Sequence, residues 1–342
     1  MSLEIKLLTK DASERWDAYV QQHPQATFFH RAGWMNVIEK AFGHETVFLY
    51  AEENGAIRGL LPLARVKSLL FGDALVSTPF CVYGGAIADN DDIRSELENR
   101  AEALALEKNV DYLELRNLRA TRGDWPEKEL YVTFRKEIDP DPEVNMLAIP
   151  RKQRAMVRKG IKAGLRTETD SDIERFFGIY ALSVRNHGTP VFAKNYFRLL
   201  KQEFADDCEV RVVVKDGSAV STVMSFYFRD EVLPYYGGGT LQARRLKAFD
   251  FMYWDLMKDA CEKGIRYFDY GRSKKGTGSF SFKKNWGFEP QPLAYQFRLV
   301  KAGALPDINP LNPRYQLFIK AWQKLPLPVA NAVGPMISRY LG

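Results

Sequence analysis

Apolar positions recur along this chain in one order, twice. Apolar runs at Val47–Ala51 and Ile57–Leu63 flank Asn54-Gly55, and runs at Val210–Lys215 and Val220–Phe228 flank Asp216-Gly217. Apolar runs on either side of Asn-Gly or Asp-Gly predict hairpins with type I′ turns. An aromatic–glycine turn follows each hairpin, Tyr83-Gly84-Gly85 and Tyr236-Gly237-Gly238-Gly239. Helical periodicity comes next. Asp91–Glu107 gathers Ile93, Leu97, Ala101, Leu104 and Ala105 on one face, and Lys247–Glu262 gathers Phe251, Trp254, Leu256, Met257 and Ala260. Strand-like runs close the two copies at Lys108–Asn117 and Lys263–Arg272, about 155 residues apart. The shared order of hairpin, strand, helix and strand predicts a duplicated α/β unit.

Length agrees with duplication, since 342 residues exceed one ordinary core. The turn-rich stretch Asp139-Pro-Asp-Pro-Glu143 and Pro150 predict a seam over Asp139–Pro150. The expected division is 1–147 for a first α/β domain, 148–300 for a second that holds the site, and 301–342 for a helical tail. Hydrophobic residues make up 46% of the chain, and no run approaches 18 apolar residues, so no spanning helix is expected. The N-terminus lacks the apolar core of a signal peptide. Cys81, Cys208 and Cys261 are odd in number and far apart, which predicts reduced thiols and a cytoplasmic setting. His23, His30, His44 and His187 show no metal-ligand spacing, so no metal site is expected.

Charge clustering says more than the net +6. Seven basic residues and no acid lie between Arg151 and Arg166, with Arg151, Arg154, Arg158 and Lys162 on one helical face. Two readings stand: a solvated surface, or a contact strip for a polyanion such as tRNA or lipid headgroups. A second cluster follows the strand ending in Asp269. There a Gly-rich loop carries Arg272, Lys274 and Lys275, and then come Phe282, Lys283 and Lys284. This segment reads as a solvated basic hairpin or as an anion-accepting loop. Two helices are expected over Ile173–Leu200 around the loop Arg185–Pro190, in which His187 is either a general base or a solvent-facing side chain. In the tail, Leu317, Phe318, Ala321, Trp322 and Leu325 form one stripe, and Val329, Val333, Ile337, Tyr340 and Leu341 another. These stripes either pack on a domain or form an interfacial helix pair, with Trp322 and Tyr340 at the headgroups and peripheral membrane contact through 315–342.

The basic helix after Pro150, the Arg185 loop and the segment FDYGRS…FKKNWGF resemble the Fem-type aminoacyltransferases. These belong to the superfamily of GCN5-related N-acetyltransferases. Phe28-Phe-His-Arg-Ala-Gly-Trp34 resembles the family's early aromatic–polar–Trp motif. Gly59-Leu-Leu-Pro-Leu63, Leu70-Phe-Gly72 and Ser77-Thr-Pro-Phe80…Tyr83-Gly-Gly85 resemble the branch associated with exosortase and exopolysaccharide loci. The resemblance spans roughly residues 20–300.

It implies two tandem acyltransferase-like α/β domains, each a mixed twisted sheet flanked by helices. It further implies transfer of an aminoacyl or acyl group to an amine on an anionic cell-envelope or exopolysaccharide precursor, with no bound cofactor. The donor is expected to be aminoacyl-tRNA or another acyl donor. The implied catalytic set is Lys283, Arg185 and Asp269, with Lys283 stabilising the oxyanion formed when an amine attacks an ester. Phe282, Arg272, Tyr236, His30, Trp34 and Tyr83 are the implied substrate contacts, and Arg151, Arg154, Arg158 and Lys162 the polyanion contacts. Two positions depart from the family pattern: Ile38 stands where muropeptide-using members carry lysine, and His30 where glutamine is common. Around Thr240–Leu246 no phosphate-cradling turn of the coenzyme A type is present, which favours aminoacyl-tRNA. An N-acyltransferase using acyl-carrier protein or coenzyme A, and a non-catalytic polyanion- or glycan-binding protein, are the alternatives.

Overall fold

The computed structural model describes residues 3–69, 71–306 and 313–341; Leu70 and, within the expected tail, residues 307–312 and 342 lie outside the described residues. The first part of the chain runs β1 (Glu4–Leu7), α1 (Ser13–Gln22), α2 (Gly33–Phe42), β2 (Glu45–Glu53), β3 (Ala56–Ser68), β4 (Gly72–Ser77), α3 (Asp91–Glu107) and β5 (Tyr112–Asn117). It continues through β6 (Arg135–Glu137), α4 (Pro142–Ala148), α5 (Arg151–Lys162), β7 (Arg166–Asp170), α6 (Glu174–Asn186) and α7 (Lys194–Phe204). Then come β8 (Cys208–Lys215), β9 (Ser218–Phe228), β10 (Glu231–Gly239), α8 (Leu241–Leu246), α9 (Ala248–Glu262) and β11 (Tyr267–Asp269). The chain ends with α10 (Gly278–Asn285), β12 (Ala294–Leu299), α11 (Pro313–Trp322) and α12 (Leu327–Ser338).

The chain forms two compact units: 1–131 with 292–308 and 339–342, and 132–291 with 309–338. The first unit holds a mixed sheet in the order β1-β2-β3-β4-β5-β12, with the short strand Ile87–Ala88 added on β3. The second holds a sheet in the order β7-β8-β9-β10-β11-β6. Each sheet has one parallel contact, β4 with β5 and β10 with β11, and it falls where the helix crosses over. Both predicted hairpin turns have positive φ at both central residues, Asn54 and Gly55, Asp216 and Gly217, as type I′ geometry requires.

The predicted helix faces are the buried ones. In the first unit Ile93, Leu97, Ala101, Leu104 and Ala105 of α3 pack against Val47, Leu61, Leu113 and Leu115. In the second, Trp254, Leu256, Met257 and Ala260 of α9 pack with Val232, Phe268 and Trp286. At roughly 1.5–3 kcal/mol per fully buried large apolar side chain, these faces are what hold each helix to its sheet.

The boundaries differ from the expected ones because each sheet takes its last strand from beyond its own repeat copy. β6 pairs antiparallel with β11, Asp269 opposite Arg135, and Val132, Phe134 and Ile138 enter the same core as Phe268. The second unit therefore starts at Val132, and the turn-rich stretch near Pro140 lies inside it. β12 runs antiparallel along β5, Ala294 opposite Asn117, so residues after 291 return to the first unit.

The tail is corrected too. α11 and α12 belong to the second unit, while Arg339 and Tyr340 belong to the first. A Cβ at Gly188 would lie 2.4 Å from Ile319 Cγ2, so glycine there lets α11 approach closely and turns Trp322 inward, where it is buried. Tyr340 packs near His44 and Phe71. Trp322 is therefore buried and Tyr340 half-buried. Among the described residues no helix is long and apolar enough to cross a membrane.

The glycines ending β10 have a packing role. A Cβ at Gly238 would meet Tyr180 Cα at 2.9 Å and Ser183 Cβ at 3.0 Å, and one at Gly239 would meet Phe249 and Ala243. Gly238→Ala is expected to destabilise the chain by about 1–3 kcal/mol through overpacking. An unchanged denaturation midpoint would contradict the tight α6–β10 contact.

Candidate active site

β11 ends at Asp269, where the chain must leave the sheet. Asp269 is buried, and its Oδ1 accepts from the Gly271 N–H at 2.7 Å and from Thr133 Oγ1 at 3.2 Å. Gly271 takes φ +64°, which favours glycine, and so the turn closes. The next segment, expected as a loop, folds as α10 with Thr277 as N-cap. Its far end is anchored by Trp286, whose Nε1 donates to Asp250 Oδ1 at 3.3 Å. Gln153 of α5 donates to the same Asp250 oxygen, so one carboxylate ties α5, α9 and the end of α10 together.

This anchoring aims Lys283 back at the turn. Its Nζ donates to Gly271 O at 2.9 Å and Arg272 O at 3.0 Å, and stands 5.6 Å from the centroid of the Phe134 ring. Burial pushes the Lys283 amine down to about 7; the Asp269 charge pulls the other way and Arg272 reinforces the fall. Nearby, burial and the Asp269 charge push Glu231 up to about 8, against the pull of Arg135, whose Nε lies 3.2 Å from both Glu231 oxygens. Arg135 in turn stacks on Tyr267, 3.6 Å from the ring centroid. The site thus holds an amine poised near neutrality beside a buried carboxylate. Such a group can stabilise an oxyanion as an ammonium or accept a proton as an amine.

The first unit carries the same feature in closed form. Glu114 occupies the repeat position of Asp269, and Arg116 that of Gly271. Arg116 is buried, donates from Nε to Glu114 Oε1 at 2.9 Å, and donates to Cys81 O at 2.8 Å. Where the second unit has a glycine and receives a lysine from α10, the first fills the place with its own guanidinium.

The expected site residues separate into three groups. Lys283, Asp269, Arg272 and Phe282 come together; the Phe282 ring packs 5.6 Å from Tyr253 and 6.2 Å from Trp286. Arg185 and Tyr236 lie elsewhere in the same unit. Arg185 donates to Gln323 O of the α11 terminus at 3.1 Å, so its role is tied to the tail. Tyr236 is buried among Tyr180, Phe192, Tyr196 and Phe197, with its hydroxyl 2.7 Å from that of Tyr196. His30, Trp34 and Tyr83 are corrected from substrate contacts to core. His30 Nδ1 accepts from Thr27 N at 3.1 Å and Nε2 sits 2.9 Å from Gly85 O, closing a capping box; Trp34 donates to Phe28 O. Tyr83 is buried against Phe29. His187 is exposed at the end of α6. Sequence reasoning missed Glu231, Arg135 and Asp250. Asp250 had a visible signal, an acid in the first turn of an otherwise apolar helix face.

On α5, Arg151, Arg154, Ala155, Arg158, Lys159 and Lys162 line one open concavity. Among the described residues none of these five cations has a carboxylate partner. α8 occupies the stretch between β10 and α9, and its Ala243 N–H already bonds Thr240 O.

Comparison with known proteins gives the chemistry its class. Residues 151–284 match a family model described as an acetyltransferase (GNAT) domain. No curated protein matches the chain in sequence. A crystal structure of FemX is similar over 92% of this chain and 100% of its own, at 15% identity and a TM-score of 0.69. The C-terminal domain of a putative lysylphosphatidylglycerol synthetase from Agrobacterium fabrum is similar over 86% of this chain and 92% of its own (14% identity, TM-score 0.57). A tandem GNAT protein from the clavulanic acid biosynthesis pathway is similar over 89% and 100% (12% identity, TM-score 0.56). The chain has a mixed α/β fold of the tandem GNAT kind, and it is a transferase. At these identities the structural likenesses speak for the fold alone.

A linkage test follows from the buried amine. Lys283 titrates near 7 folded and near the ordinary 10.5 unfolded, so between those values the unfolded chain binds more protons and stability rises with pH. Lys283→Met removes this term. Its gain in thermal midpoint over the parent is expected to be largest below pH 7 and to shrink as pH rises above it. A difference independent of pH would contradict the buried amine.

Proposed function

We propose that the protein transfers an aminoacyl or acyl group from an activated ester to an amine, with Lys283 stabilising the oxyanion. The observation that carries this reading is the Lys283 amine, held by two backbone carbonyls beside Asp269, with capacity for one further hydrogen bond as an ammonium. Attack of an amine on an ester builds negative charge on the carbonyl oxygen, and a fixed cation in a site of low dielectric lowers that barrier. Asp269 keeps the turn closed and holds the Lys283 pKa above what burial alone would give. Arg272 and Phe282 border the amine and are assigned to substrate. Arg185 is assigned to the acceptor side through the loop it anchors, and Tyr236 to the wall behind it.

The acceptor in this proposal is an amine on an anionic cell-envelope or exopolysaccharide precursor. The motif resemblance and the likeness of fold to FemX support it. The donor is aminoacyl-tRNA. The strip of Arg151, Arg154, Arg158 and Lys162 gives a polyanion a landing surface, and α8 fills the stretch in which a coenzyme A pyrophosphate would need free amides. One observation favours a second donor: the matched domain family is described as an acetyltransferase, which suits acyl-coenzyme A.

The test pairs donors with variants. Bulk aminoacyl-tRNA and acetyl-coenzyme A are each supplied with an amine acceptor panel. Lys283→Met is expected to lose transfer by 100-fold or more, on the order seen for one oxyanion donor, with circular dichroism unchanged. Lys283→Arg, which keeps a cation, is expected to retain part of the rate. Full activity of Lys283→Met removes the oxyanion role, and transfer from acetyl-coenzyme A alone moves the donor to the second reading.

The α5 strip has its own readout. Binding of tRNA is expected to fall as salt rises, and changing Arg151, Arg154, Arg158 and Lys162 to Glu is expected to flatten that slope by roughly 0.7–0.9 for each phosphate no longer neutralised. A salt slope unchanged in the four-site variant returns α5 to the solvated-surface reading.

A further inference from the structure

Independently of the catalytic reading, we propose that α11 and α12 form a face that docks on an anionic lipid surface. Both helices are already seated by their inner sides. α11 lies on Gly188 through Ile319 and buries Trp322. α12 buries Ala330, Gly334 and Ser338, with Gly334 against Val191 and Ser338 Oγ donating to Val191 O at 3.0 Å. The sides that remain are therefore outer faces in a settled position, and outer faces are ordinarily polar. These are apolar: Leu317 is 77% exposed and Met336 68%, with Phe318, Val329 and Val333 also exposed. Pro326, in the connection between the two helices, and Pro328, in the first turn of α12, are exposed as well.

Charge chooses the occupant. From Pro313 to Ser338 there is no Asp or Glu, and α12 carries no charge at all. Among the described residues, the exposed cations on and beside α11 are Lys320 and Lys324. A second copy seated twofold on this face would bring lysines toward lysines with no carboxylate on either helix to answer them. An anionic bilayer supplies both the apolar layer and the counter-charge, which is the pattern of a helix pair lying in the interface plane. This geometry differs from the sequence expectation, since Leu317, Phe318, Val329, Val333 and Met336 are exposed while Trp322 is buried and Tyr340 packs half-buried near His44 and Phe71.

The experiment is co-sedimentation of the full chain with vesicles of phosphatidylcholine, with and without 30 mol% phosphatidylglycerol (about a third, to give a strong surface potential). Binding to the anionic vesicles is expected at low salt. Leu317→Glu with Met336→Glu is expected to weaken it at least tenfold with circular dichroism unchanged. Lys320→Glu with Lys324→Glu is expected to remove the preference for anionic lipid. Arg154→Glu with Arg158→Glu on α5 is expected to leave it in place. Absence of binding to either vesicle overturns the proposal. So does binding that the tail variants retain but the α5 variant loses, and so does a dimer in light scattering that Leu317→Glu with Met336→Glu dissolves.

Discussion

A buried carboxylate on a parallel-paired strand must be answered by a cation or by backbone amides. Both units of this protein meet that constraint, at Glu114 and at Asp269, and they meet it differently. In the first unit Arg116 answers from two residues along the same strand, and the site is closed. In the second, glycine stands at the equivalent position, the Gly271 amide caps the carboxylate, and a cation arrives from a separate helix. Lys283 can arrive only because α10 is fixed by Thr277 at its start and by Trp286 and Asp250 at its end. The fold around the site serves to hold one amine where neither the chain nor water would otherwise keep it.

That amine explains the division of labour between the two copies. The parallel contact between β10 and β11 covers only the Glu231–Tyr267 and Val232–Phe268 pairs, while β10 runs on to Gly239. β11 ends soon after that contact, at Asp269, in the turn whose carbonyls receive Lys283 from α10. The first sheet has its own parallel contact, with Arg116 in the place of the turn glycine. One copy leaves glycine at this position and receives Lys283, and the other fills the equivalent position with its own Arg116. Because β6 and β12 each complete a sheet from outside its own copy, the second unit begins at Val132 and not at the apparent seam.

Much of this was legible in the residues. Asn54-Gly55 and Asp216-Gly217 fix their hairpins locally, because only positive φ closes a two-residue loop with the right twist. The α3 face reads directly because its burial is a matter of period. The basic strip of α5 was legible for the same reason. What was not legible depended on partners distant in sequence. Nothing local tells that Arg135 will pair beside Asp269, or that residues 294–299 return to β5. His30 and Trp34 carried a motif that resembles a substrate contact, yet ring nitrogens satisfied by Thr27 and Gly85 make His30 a structural cap. The stretch after Gly271 looked like a loop because its glycines and lysines dominate the composition. Thr277, an N-cap residue, followed by Phe280 and Phe282 was the overlooked helical signal.

The central claim is that Lys283 acts as a cation whose charge is in balance near neutrality. With an ordinary amine acceptor a cationic lysine and a basic one give the same pH dependence, because the acceptor must itself lose a proton. Hydroxylamine, already uncharged at neutral pH, separates them. The decisive measurement is the pH dependence of transfer to hydroxylamine, with the Lys283→Met background subtracted. The account predicts a rate that falls as pH rises through about 7, where the buried ammonium discharges, and a fall displaced to lower pH in Asp269→Asn. A rate that rises through the same range would contradict it and make Lys283 the base.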